Sequence, residues 1–86
     1  MTFVVHSINI GDAQRRSALR EAHVGFLRQL KAQGVVILAG PYGDGSGGLI
    51  MLQAESLEAA QRLMAQDPFV LGGVARQEIK SFTQSV

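Results

Sequence analysis

Two residues of this chain carry side chains of the kind that general acid–base chemistry uses. His23 offers an imidazole, which can take or give a proton near neutral pH. Asp67 offers a carboxylate at the head of the stretch Asp67-Pro68-Phe69. His23 lies four residues after Leu19 and four before Leu27, within the apolar stripe of a helix. Asp followed by Pro is the pattern of a helix N-cap and first helical residue, which fixes the carboxylate on backbone N–H groups at a bend. A carboxylate so held can orient an imidazole, and the two are expected to meet at one pocket. Each also has a plain structural reading: His23 as a packed histidine with one hydrogen bond, Asp67 as a cap and nothing more.

A few residues stand as candidates for substrate contact. Arg20 lies one turn before His23 and could reach an anionic group, or be a solvated helix arginine. Tyr42 could offer a phenol, or fold over the core edge as a loop aromatic. Phe26, Pro41 and Phe69 are expected to wall an apolar pocket. His6, on the first strand, has no evident partner and reads as structural or exposed.

Other chemistries find little support. Two histidines on different elements, no cysteine and no carboxylate cluster give no metal site. No serine sits on a recognisable nucleophile turn. Gly43, Gly45 and Gly48 formally match G-x-G-x-x-G, but that motif needs a helix after it, and Leu49-Ile50-Met51-Leu52 reads as a strand. The glycines read as a mobile hairpin loop that could serve as a lid. No cofactor is expected.

The elements that must position these residues follow from pattern. The 86 residues make one domain, 1–86. A net charge of +1, no basic cluster beyond Arg15-Arg16, and one Tyr with no Trp argue against nucleic acid. Met1 to His6 lacks a basic n-region and no apolar run approaches the ~20 residues of a membrane span, so a soluble, cytoplasmic protein is expected.

Phe3 to Ile10 reads as a strand, apolar on both faces. Asp12 caps a long helix, Ala13 to Gln33, with Leu19, Ala22, Phe26, Leu27 and Leu30 on its apolar stripe and Gly34 ending it in the left-handed conformation. Val35 to Ala39 is a second strand, broken by Gly40-Pro41. Residues 42–48 form a loop, and Leu49 to Ala54 is a third strand hairpinned with the second. Ser56 caps a second helix that Pro68 should end near Gln66. A single turn through Phe69-Val70-Leu71 follows, ended by Gly72-Gly73. Val74 to Thr83 is the fourth strand, an edge carrying Arg76, Glu78 and Lys80 on one face.

The order βαββαβ is that of the α+β, ferredoxin-like unit: a four-stranded antiparallel sheet with both helices on one face. Strands one to three are apolar on both faces, so the uncovered face must meet something. With 47% apolar and only 17% charged residues, a second copy of the same sheet is the expected cover, giving a homodimer.

Several segments together are similar to the YciI-like (YCII-related) family. They are Arg20-Glu21-Ala22-His23 with Phe26-Leu27 and Leu30; Leu38-Ala39-Gly40-Pro41; Ser56-Leu57-Glu58-Ala59-Ala60 running into Gln66-Asp67-Pro68-Phe69; and Ile79-Lys80-Ser81-Phe82. The resemblance spans nearly the whole chain. It implies a dimeric α/β barrel, similar in fold to muconolactone isomerases, and an active-site dyad of His23 and Asp67. One branch of that family removes chloride from a chlorinated hydroxyhydroquinone. The expected function is therefore a small enzyme of lyase or isomerase type acting on a small substrate, an aromatic one among the candidates. The alternative is a non-catalytic dimer that binds a small metabolite or assists a neighbouring enzyme.

Overall fold

The computed structural model describes residues 1–86. Its elements run β1 (Thr2–Asn9), α1 (Ala13–Ala32), β2 (Val36–Pro41), β3 (Gly47–Gln53), α2 (Leu57–Met64), α3 (Pro68–Leu71) and β4 (Ala75–Ser81). The four strands form one antiparallel sheet in the order β2-β3-β1-β4. This is the ferredoxin-like arrangement, with β2 and β4 at the edges.

Local chemistry sets the ends of the helices. The Asp12 side chain accepts from Gln14 N at the start of α1, and Ser56 Oγ accepts from Ala59 N at the start of α2. Gly34 follows α1 with φ +79°, a conformation that favours glycine. No helix is long and apolar enough to cross a membrane.

One face of the sheet makes the core. Phe3 and Val5 of β1, Val36 of β2, and Ile50 and Leu52 of β3 are buried against Leu30 of α1 and Ala60 and Met64 of α2. Both long helices therefore cover the same face. Each large apolar side chain so buried contributes roughly 1.5–3 kcal/mol. A smaller cluster of Phe69, Val74 and Ala75, with Leu19 against it, seats α3 beside the N-terminal half of α1. On α1 the apolar stripe is narrower than its sequence suggests, because Ala22 is exposed.

The strand boundaries differ from expectation around the hairpin. Gly40-Pro41 does not break β2; the strand continues through both, pairing Gly40 with Leu49 and Pro41 with Gly48. An edge strand tolerates proline because its missing N–H can fall on the unpaired side. Gly47 and Gly48 likewise belong to β3, not to the loop. A Cβ on Gly47 would stand 1.8 Å from the Ser7 carbonyl oxygen, so only glycine lets the strands approach here. The connection shrinks to a tight turn closed by Tyr42 N–H to the Gly47 carbonyl. Ser46 hydrogen-bonds the Asp44 carboxylate through side chain and backbone, holding its pKa below the usual value. Asn9 ties this turn to β1, donating from Nδ2 to the Gly45 carbonyl at 3.0 Å.

The other sheet face carries no helix. Val4, His6 and Ile8 stand there, beside Leu49 and Met51 of β3 and, along β4, Arg76, Glu78 and Lys80.

Candidate functional site

The chain leaves α2 at Met64 and turns through Gln66 into Asp67, which caps α3 (φ −57°, ψ 126°) with Pro68 in the first turn. The cap directs the carboxylate inward, where it is completely buried. Three donors satisfy it. Phe69 N–H donates to Oδ1 at 2.9 Å, Gln77 Nε2 donates to Oδ2 at 3.1 Å, and His23 Nδ1 lies 2.7 Å from Oδ1. A buried carboxylate demands this degree of satisfaction.

Helix α1 brings His23 to that carboxylate because its first half is fastened to α3. Arg15 Nε donates to the Gly72 carbonyl at 2.8 Å. Leu19 packs where a side chain on Gly72 would be, since a Cβ there would lie 2.2 Å from Leu19 Cδ1. One turn further along, the His23 ring stacks on Phe69 with centroids 3.8 Å apart and planes 4° from parallel. The imidazole is thus fixed in both position and tilt.

The hydrogen-bond geometry also fixes the role of each ring nitrogen. A carboxylate can only accept, so Nδ1 carries the proton shared with Asp67. Nε2 has no partner within the protein, on a side chain that keeps 15% of its surface exposed. It can therefore exchange a proton with a bound molecule, which a sealed histidine could not do. No third metal-ligating side chain gathers beside the pair.

His23 and Phe69 line a cleft of about 610 Å³ between α1 and the β2–β3 half of the sheet. Arg20 and Pro41 also line it. Phe26 does not; the helix rotation of about 100° per residue turns it from the cleft to the main core, where it packs. Tyr42 does not either. Its hydroxyl lies 2.7 Å from His6 Nδ1, which puts both residues on the uncovered side of the sheet and gives His6 the partner its sequence position did not reveal.

Sequence reasoning missed Ser7, Arg16, Arg28 and Lys31, which line the cleft, and Gln77, which completes the shell of Asp67. The i, i+4 spacing of Arg16 and Arg20 was a visible sign. Gln77 had none, since only the pairing of β4 with β1 sets it opposite Ser7.

A family model described as the YCII-related domain matches residues 1–83. An uncharacterized protein of Haemophilus influenzae is 33% identical over 85 residues, covering 86% of this chain and 87% of that protein. Protein YciI of Escherichia coli O6:H1 is 31% identical over 85 residues, with the same coverage of 86% and 87%. Among solved structures, the 5-chloro-2-hydroxyhydroquinone dehydrochlorinase of Burkholderia phenoliruptrix AC1100, in complex with 2,5-dihydroxybenzoquinone, superposes with a TM-score of 0.85 at 22% identity. The match covers 99% of this chain and 96% of that one. Muconolactone isomerase superposes with a TM-score of 0.79 at 16% identity, covering 99% and 91%. At these identities the structural likeness speaks for the fold alone.

Proposed function

The chain belongs to the YCII-related domain family, and on that premise we propose that it is a small enzyme of lyase or isomerase type in which His23 moves a proton and Asp67 holds it in place. One observation carries this reading: His23 Nδ1 is bound to a buried, fully satisfied carboxylate while Nε2 is left free on a residue of the cleft.

The chemistry follows from that tautomer. The Nε2 lone pair takes a proton from an acidic C–H or O–H of the substrate. In an elimination, the electron pair of the broken C–H bond becomes a new double bond and a neighbouring group leaves with its own bonding pair. In an isomerisation, the electron pair shifts through the substrate and the same proton returns at another atom. Neither course needs an oxidant, a reductant or a cofactor. Asp67 faces the positive charge that the ring gains, and Phe69 keeps the ring from turning away. A positioned group of this kind contributes roughly 10²–10⁴ in rate.

Phe69, Pro41, Val24 and Leu27 give the cleft its apolar wall, which suits a small ring-sized substrate. The reading includes a homodimer formed through the uncovered sheet face, supported by the apolar Val4, Ile8, Leu49 and Met51 there.

The test is turnover of small phenols, hydroxyquinols and organic acids by the wild type and His23→Gln. The variant should lose about 10²-fold or more. A loss below tenfold rejects the acid–base role. A ligand that raises the melting temperature and is never converted at any pH would favour a binding protein instead.

A further inference from the structure

We propose that the cleft takes an organic carboxylate, whose charged group is held by Arg16 and Arg20 while its apolar body reaches His23. The position of the reacting atom rests on the acid–base reading above; the anion site itself does not.

Charge is the first argument. The cleft is lined by Arg16, Arg20, Arg28 and Lys31 and by no carboxylate, in a protein whose net charge is only +1. Half of the eight Lys and Arg residues therefore converge on one concavity, which focuses a positive potential there. Hydrogen bonding is the second. Lys31 is already committed, donating from Nζ to the Ile37 carbonyl at 2.9 Å. Arg20 makes no hydrogen bond and no ion pair within the protein. Arg16 makes one long bond, from Nη2 to the Ile10 carbonyl at 3.4 Å, and its Nε is buried without any partner. Buried N–H groups are nearly always satisfied, so an orphan on a cleft-lining guanidinium calls for an acceptor from outside the protein. A carboxylate supplies two oxygens in the geometry that guanidinium groups match.

Spacing is the third argument. Arg16 and Arg20 sit at i and i+4 on one helix face, and neither forms an ion pair, the Asp12 carboxylate at the cap accepting from Gln14 N–H instead. At about 1.5 Å of rise per residue, Arg20 lies roughly 4.5 Å and Arg16 roughly 10.5 Å along the axis from His23. Long arginine side chains can bridge much of that distance. The charged group and the reacting atom are thus separated by about the width of a six-membered ring. The apolar residues Val24, Leu27, Val36 and Ile50 flank the interval, so the body between the two ends is hydrocarbon in character.

The probe is benzoate, with benzamide as its neutral counterpart and inorganic phosphate as a competitor. Titrations are followed by the backbone amide resonances of α1 in the wild type, Arg16→Gln, Arg20→Gln, the double variant and His23→Gln. Benzoate should bind at least about tenfold more tightly than benzamide, a preference that the double variant loses and His23→Gln keeps. Arg20 is exposed, so Arg20→Gln should fold normally and by itself weaken benzoate severalfold, even if the double variant proves unstable. Equal affinity for benzoate and benzamide, a preference that survives loss of both arginines, displacement of benzoate by equimolar phosphate, or no binding at millimolar benzoate each overturns the proposal. The two readings fail separately. Arginine-dependent benzoate binding together with turnover that falls less than tenfold in His23→Gln leaves this site standing and removes the acid–base role, whereas His23-dependent turnover of a substrate insensitive to both arginines does the reverse.

Discussion

The rings of His23 and Phe69 lie face to face, 3.8 Å between centroids, and the backbone N–H of the same Phe69 donates to the carboxylate that holds His23. One residue therefore sets the tilt of the imidazole and helps seat its anchor. Phe69→Leu keeps an apolar side chain and the backbone donor but loses the flat surface. We expect a fall of about tenfold in turnover with a small loss of stability, measured by steady-state kinetics beside thermal melting. An unchanged kcat would mean that the stack is packing alone.

Asp67→Asn preserves shape and removes charge. The buried site would lose an ionised acceptor, at a cost of about 1–3 kcal/mol in denaturant unfolding. Turnover should fall further than ligand affinity does, because the positive ring appears only during the reaction.

The strand crossing at Gly47 should be intolerant of any side chain. Gly47→Ala sets a methyl against the Ser7 carbonyl, which is backbone and has no rotamer to change. We expect a loss of about 1–3 kcal/mol, read as a melting temperature lower by several degrees. Wild-type stability in this variant would mean that β1 and β3 part easily at this end.

The uncovered sheet face should respond to a buried charge. Met51 pairs with Val4 near its centre. By sedimentation the wild type should run as twice the 9.2 kDa chain and Met51→Lys as a single chain. A wild type that stays monomeric at micromolar concentration removes the homodimer from the proposal.

Much of this was legible in the residues. Asp12, Ser56 and Asp67 act as caps because their side chains reach their own backbone, and such local bonds are written in local sequence. Gly34 adopts positive φ for the same reason. What escaped was non-local. Pro41 reads as a strand breaker until β2 is known to lie at an edge. Phe26 and Tyr42 are aromatic and close in sequence to the site, yet pleat and helix rotation turn one to the core and the other to the far side of the sheet. Arg16 reads as one surface cation among eight until the cleft beside it is seen.

The edge strand has a further consequence. β2 exposes Ile37 and Leu38 along a sheet edge, which in isolation would invite another chain to add a strand. Three features oppose that. The register slips between Val36 and Leu38, Pro41 offers no donor, and Lys31 occupies the Ile37 carbonyl. An incoming strand would find an irregular row of donors and acceptors guarded by a cation. The same proline that forms part of the cleft wall thus helps protect the protein against runaway sheet extension and fibre growth.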